Sequence, residues 1–420
     1  MGVVHVIGAG LAGLAAAVTL VKAGRKVEPH EQAGHAGGRC RSFHDATLDR
    51  RIDNGNHLLL SGNHAARGFL EDVGAGDGLV GPARPVFPFV DLASGRRWTV
   101  RVSPGHLPWW ILRPSRRVPD TGVLDYLAAL RLAWAGPDAT MADCFDTDSP
   151  MFRRFWDPIS VAVLNTATDE AAARLLWPVL AETFGRGGMF CRPMVARHGL
   201  SDSFVDPAVA WLTERGAKPR FGRRLRGVAG ANGRLSGLDF GRDGRLELGA
   251  DDTVVLAIPP SGVQELIPSI PTPPDSRAIV NTHYRVDGVA GLPDGSNCLG
   301  ILGGTAQWIF VRGDVVSVTV SAADRLAEEP AAQVAERIWR DVARALQLPA
   351  TPMPPARVVK EKRATFAQTP AAMGLRAKTR TAFRNLFLAG DWTDTGLPAT
   401  IEGAIRSGRA AAAAVLAEAE

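Results

Sequence analysis

Val3-Val4-His5-Val6-Ile7-Gly8-Ala9-Gly10-Leu11-Ala12-Gly13 carries a short, largely apolar run straight into three glycines spaced G-x-G-x-x-G. The run reads as a buried strand, and the residues after it continue as a helix through Lys22. Gly24 caps that helix, and a second strand runs to Glu31. Between strand and helix, Gly8 permits the tight turn, Gly10 lets a pyrophosphate approach the backbone, and Gly13 lets helix and strand pack closely. Leu11 and Ala12 begin the helix, whose first N–H groups have no intrahelical partner and suit phosphate. Glu31, at the end of the second strand, is placed to accept hydrogen bonds from a ribose. Pro29 is out of place inside a strand, so a local bulge is expected there.

Gly37-Gly38-Arg39 adds backbone and a guanidinium near the same phosphates. A fold that binds only NAD does not need this element, so it favours FAD. Next comes the polar cluster Ile52-Asp53-Asn54-Gly55-Asn56-His57. Gly55 suggests close approach of backbone to a ligand, with Asn56 beside it. His57 is the candidate acid or proton relay, against the plainer reading of a histidine that holds a loop. At the far end, Leu386 to Ala389 reads as a buried strand ended by Gly390 and Asp391. Pro398 introduces a helix, so Thr400 and Ile401 stand at an N-terminus with free N–H groups and partial positive charge. Such a place suits an anionic or electron-accepting group.

The chain has 420 residues, 46% hydrophobic and 22% charged, enough for two interleaved domains with a sizeable core. Its net charge of +5 comes mainly from Arg, and no nucleic-acid motif accompanies it. Nucleic acid is therefore not an expected partner. Cys40, Cys144, Cys191 and Cys298 lie far apart, which implies neither a disulfide framework nor a metal site and suits a reducing cytoplasm. Met1-Gly2-Val3-Val4 has no basic start, so no signal peptide is expected. The glycine cluster argues against a membrane span between Val3 and Val21.

Residues 84–102 read as a hairpin turning at Ser94-Gly95. The stretch from Leu107 to Arg117 combines Trp109 and Trp110 with aliphatics and a basic flank, which suits either a membrane interface or a loop packed on the core. Helical periods cover 123–135, 150–164, 169–184 and 206–216. Among them Trp156, Asn165 and Trp177 are candidates for lining an apolar substrate cavity. Asn165 needs a partner for its amide if buried. Turns at Asn232-Gly233 and Asp243-Gly244 predict a meander feeding the strand Thr253 to Ile258. Further strands lie between 276 and 320, a helix at 331–347 and a strand at 356–364. The expected architecture is α/β: a Rossmann-type FAD-binding domain from 1–83, 201–268 and 363–420, interleaved with an α+β substrate domain from 84–200 and 269–362.

The Gly8–Gly13 turn, Glu31, Gly37-Gly38-Arg39 and Gly390-Asp391 with its helix resemble the FAD-dependent amine oxidase and phytoene desaturase superfamily. Gly55-Asn56-His57, Ala162-Val163-Leu164-Asn165-Thr166 and Gly390 to Ala404 are similar to its bacterial hydroxysqualene dehydroxylases, over essentially the whole chain. The resemblance implies that Glu31 binds the adenosine ribose, that Leu225 meets adenine through its backbone, and that Asp391 holds the pyrophosphate–ribityl region. It implies N–H groups near Thr400 and Ile401 facing the flavin N1–C2 carbonyl edge. It implies a C30 isoprenoid alcohol as substrate, reduced to squalene with loss of water, with His57 the first candidate proton donor and the electron donor unnamed. A hydrocarbon substrate also makes the membrane surface a candidate partner, through Trp109 and Trp110, for a cytoplasmic protein. A polyene desaturase is the nearest rival; an amine oxidase and a non-enzymatic relative of the fold lie further off.

Overall fold

The computed structural model describes residues 2–418. Its first sheet has four parallel strands, in the order Leu386–Leu388, Thr253–Leu256, Val4–Ile7, Val27–His30. Val4 and Val6 point to the face covered by the helix Leu11–Lys22, which buries most of its length. The helix Ile401–Ala417 packs alongside it, and an added Cβ at Gly408 would stand 2.1 Å from Ala12 O. That glycine sets how closely the two helices approach. The opposite face of the sheet packs on a meander of Gly227–Ala231, Arg234–Asp239 and Arg245–Glu247, where Ile7, Leu256, Leu238 and Phe240 share one core. Its first turn has positive φ at both Asn232 and Gly233, the two-residue hairpin turn the sequence predicts.

Pro29 causes no bulge, contrary to expectation: the second strand pairs in continuous register from Val27 to His30. Val27–His30 is the sheet's edge. Lys26 O and His30 O accept from Val4 N and Gly8 N on the inner side, while Pro29 O accepts from Arg220 N on the outer side. The proline nitrogen therefore faces outward, where no ladder bond is lost.

The second sheet has seven strands, in the order Ala356–Phe366, Ser276–Arg285, Val315–Val320, Trp308–Arg312, Cys298–Leu302, Val86–Asp91, Arg97–Arg101. The amphipathic helix Ala331–Leu346 buries Val334, Ile338 and Val342 against one face. The other face gives Phe87, Phe89, Trp308 and Phe366 to a core shared with Phe152, Phe155 and Trp156. The expected helix at 169–184 is broken into a 3-10 turn, Ala173–Leu175, and the helix Leu176–Glu182. Two wide π-type turns, Phe152–Trp156 and Ser201–Val205, each run into an Asp-Pro pair. Pro158 and Pro207 cannot donate to the preceding turn, so the backbone there opens. Among the described residues, no helix is long and apolar enough to cross a membrane.

Candidate flavin and substrate site

The three glycines of the first turn divide by what surrounds them. An added Cβ would stand 2.3 Å from Ala257 O at Gly8 and 1.9 Å from Gly8 O at Gly13, so both are required by packing. At Gly10 it would meet no protein atom within 4 Å. The bare Cα there keeps open a space at the N-terminus of the helix Leu11–Lys22, beside the free N–H groups of Leu11, Ala12 and Gly13. Gly38 faces the same gap, with an added Cβ 3.5 Å from Gly10 Cα. Gly37 is bridged to Gly10 and donates to Ala9 O at 2.8 Å. A small-residue cradle at a helix N-terminus fits a dinucleotide pyrophosphate.

Glu31 closes the cradle on the adenosine side. It is buried, and its two oxygens accept from Ala9 N and Ala33 N at 2.8 Å each. A carboxylate has about four acceptor sites, so two bonds leave room for ribose hydroxyls. Arg223 N donates to Glu31 O at 2.8 Å, which brings the loop carrying the buried Leu225 to the same corner.

The C-terminal stretch arrives from the other side. Arg39 Nη2 donates to Asp391 Oδ1 at 2.7 Å and Nη1 to Ala364 O. The Asp391 carboxylate holds the Arg39 guanidinium above its usual pKa. Gly390 N donates to Ser407 Oγ at 2.8 Å, fixing the strand end to the last helix. Thr400 caps that helix by accepting from Gly403 N at 3.1 Å, and Ile401 is its first residue.

Sequence reasoning missed the residue that shapes this loop. Arg376 is buried and donates to the carbonyls of Trp392, Leu397, Asp391 and Thr393 and to Thr395 Oγ1. Its guanidinium also lies 5.3 Å from the centre of the Phe366 ring. A planar five-donor fork can satisfy several carbonyls at once. An isolated Arg in Gly374-Leu375-Arg376-Ala377 gives no motif that would reveal this.

Gly55 and Asn56 lie against the second sheet, with His57 next to them. Gly55 approaches Asn281, whose Nδ2 would be 3.2 Å from an added Cβ, and Asn56 Nδ2 donates to Thr319 Oγ1 at 3.1 Å. His57 is partly exposed, and burial outweighs its carboxylate neighbour Asp53, lowering its pKa to about 4. It is neutral near pH 7, so it can relay a proton but is not a standing imidazolium acid.

Trp156 is buried and stacked on Phe145 at 5.2 Å, with its indole N–H unpartnered, and Trp177 is half-buried against the same core. Asn165 is buried, and its amide has the partners that burial requires. Its Nδ2 donates to Thr365 Oγ1 at 3.0 Å and its Oδ1 accepts from Ala322 N at 2.7 Å, so it staples a left-handed helix end to the second sheet. The pair Trp109 and Trp110 also divides. Trp109 is 63% exposed, whereas Trp110 is 6% exposed and packs edge-on against Tyr126 at 5.0 Å. Trp110 is therefore core and is not a membrane-facing side chain.

A parallel sheet with this glycine cradle and a C-terminal acid–helix loop defines a flavin-dependent oxidoreductase. The family model "Flavin containing amine oxidoreductase" matches residues 11–416, and the chain belongs to that family. Solved structures of putrescine oxidase (a variant) and of cyclohexylamine oxidase from Brevibacterium oxydans share its fold. Their TM-scores are 0.73 and 0.72 at 17% and 15% identity, over 99% and 100% of this chain and 99% of each of theirs. Within the family the chain stands with the hydroxysqualene dehydroxylases. It is 46% identical to that of Rhodopseudomonas palustris over 99% of this chain and 98% of the relative, and 45% identical to that of Sinorhizobium fredii with the same coverage. A probable zeta-carotene desaturase of Synechococcus elongatus is 24% identical over 98% of both chains. The cofactor of this chain is FAD.

Proposed function

We propose that this protein removes the hydroxyl group of hydroxysqualene, giving squalene and water. The observation that carries the reading is 46% identity along 99% of the chain to a protein named for this activity. Gly10, Gly38 and the N–H groups of Leu11 and Ala12 would hold the pyrophosphate, Glu31 the ribose, Leu225 the adenine edge, and Arg39 with Asp391 the ribityl region. Bound FAD, when reduced, supplies a hydride. The backbone N–H groups of Thr400 and Ile401 would face the pyrimidine edge, where a helix N-terminus favours negative charge. His57 would pass a proton toward the departing hydroxyl, so that the hydride and the proton together balance the loss of water. Phe89, Phe155, Trp156 and Trp308 lie in one apolar core on the side of the second sheet away from the helix Ala331–Leu346, and a hydrocarbon substrate would be housed against its surface.

The same reading gives the protein a bilayer from which to draw its substrate, approached from the cytoplasm. Leu107, Trp109, Leu112, Leu124, Leu127 and Trp134 are 49–79% exposed, a density of large apolar side chains that water does not favour.

The test is anaerobic. Enzyme reduced with dithionite is given hydroxysqualene in detergent while the flavin spectrum and products are followed. Flavin reoxidation with squalene formed is the expected result. The 24% identity to a probable zeta-carotene desaturase favours a second reading, desaturation of a polyene. Reduced flavin that stays reduced, with bleaching of oxidised enzyme by a polyene, would replace the first reading with the second.

A further inference from the structure

The apolar segment has a basic groove beside it that hydrocarbon chemistry does not use. This groove, about 620 Å³, lies between the edge strand Arg97–Arg101 and the loop at 114–121. Arg96, Arg97, Arg101 and Arg117 line it, against the single carboxylate of Asp120. Asp120 is shared by Arg96 and Arg154 at 2.6 Å each, and Arg101 pairs with Asp294 at 2.9 Å. Arg97 and Arg117 form no ion pair among the described residues; they donate to the backbone carbonyls of Ala345 and Ile111. Neither guanidinium thus has a counter-ion, and the two flank the edge strand from opposite faces, Arg97 on that of the helix Ala331–Leu346 and Arg117 on that of the apolar segment.

The groove and the apolar segment form one unit. Arg117 Nη1 reaches Ile111 O at 3.1 Å, in the turn Trp109–Leu112. Val118 N donates to the Tyr126 hydroxyl at 2.9 Å, and the Tyr126 ring meets Trp110. The inward Trp110 and Tyr126 therefore fix the outward Trp109, Leu124 and Leu127 next to the arginines. Arg113 and Arg116, on the intervening turn, form no ion pair among the described residues either.

We propose that this groove takes the phosphate of an anionic bilayer lipid while the neighbouring apolar side chains enter the acyl layer. The proposal rests on the bilayer reading above and names the lipid class. A planar guanidinium fork matches phosphate oxygens, and basic groups beside inserted apolar ones favour an anionic leaflet. Two classes of contact so close together would orient the protein on the membrane, a single face toward the lipid.

FAD-loaded full-length protein is sedimented with vesicles of phosphatidylcholine alone and of phosphatidylcholine with phosphatidylglycerol. The wild type is expected to partition about tenfold or more in favour of the anionic vesicles, with the excess lost in high salt. Arg97→Gln, at an exposed position, should cut that excess about fivefold, and Arg97→Gln with Arg117→Gln further, leaving partition onto phosphatidylcholine unchanged. Equal partition of the wild type onto both vesicles overturns the headgroup site and leaves the bilayer reading standing. An anionic excess that survives both substitutions overturns it as well. No partition onto either vesicle overturns the bilayer reading and the site together. Binding of inorganic phosphate at millimolar concentration without vesicles, lost in the same variants, assigns the groove to free phosphate and overturns the lipid.

Discussion

Arg39 Nη2 and Asp391 Oδ1 meet at 2.7 Å although 352 residues separate them in the chain. The pair joins the second glycine turn to the loop before the last helix, and Asp391 is 7% exposed. Asp391→Asn removes the charge that Arg39 faces and should cost about 2 kcal/mol of stability. Retention of FAD on gel filtration, read by flavin absorbance against protein, should fall at least about tenfold. Full retention would mean that the pair is structural only.

Gly10 and Gly13 should respond differently to the same change. Gly10 has φ −73° and ψ 177°, open to any residue, and no atom near an added Cβ. Gly10→Ala should fold with an unchanged apoprotein melting temperature yet bind FAD at least about tenfold more weakly, since the methyl occupies phosphate space. Gly13→Ala puts its Cβ 1.9 Å from Gly8 O and should destabilise the apoprotein itself. Equal effects of the two on the apoprotein would show that the open space at Gly10 has no ligand-binding role.

Arg376→Met leaves at least four loop carbonyls without their donor inside the protein. A loss on the order of 3 kcal/mol is expected, with Arg376→Lys intermediate because one ammonium cannot span the fork. Thermal melts of apo and FAD-loaded protein would separate loop order from folding: the gap between the two melting temperatures should narrow. An unchanged gap would detach Arg376 from the cofactor loop.

Desolvated histidines predict how acid acts. Burial lowers His30 to about 3, helped by His5, Arg223 and Arg220, and lowers His57 and His283 to about 4 and His5 in the same direction. The unfolded chain binds protons near 6.5, the folded one only lower, so protonation favours unfolding. Their stabilisation is complete above about pH 6.5 and is lost as pH falls toward 4. For the buried His283 alone this is on the order of 3 kcal/mol. Urea midpoints measured from pH 8 to 5 should drop below pH 6.5, and His283→Gln, which cannot be protonated there, should flatten the slope. A midpoint independent of pH over that window would refute it.

Trp109 and Trp110 are adjacent and opposite in role. Trp109→Ser should leave the melting temperature within about 1 °C, as surface changes do, and weaken vesicle partition. Trp110→Ser removes a buried aromatic and should cost about 3 kcal/mol or more. A destabilised Trp109→Ser would place that side chain in the core instead.

The glycine turn, Glu31, the meander turns and the last helix were legible in the sequence because each is a local device. A positive-φ turn, a cap or an apolar period is satisfied within a few residues and leaves its mark there. Pro29 was legible as an anomaly, but its explanation needed the knowledge that Val27–His30 is an edge strand, which no local pattern states. Helix 169–184 failed because apolar period alone does not say where tertiary contacts interrupt the backbone.

Tertiary structure decided the rest. Periodicity could not say which of two neighbouring tryptophans faces inward, because that depends on Tyr126 arriving from another segment. Asn165 became a staple only when Thr365 and Ala322 met it. Arg376 gained its role from five groups spread over a loop whose path its own hydrogen bonds fix. The sequence by itself determined the dinucleotide fold and the class of cofactor, since those depend on short-range backbone geometry. Which tryptophan is buried, which amide joins a helix end to a sheet and which arginine holds the last loop depended on distant segments packing together, where burial and hydrogen bonding assign each residue its environment.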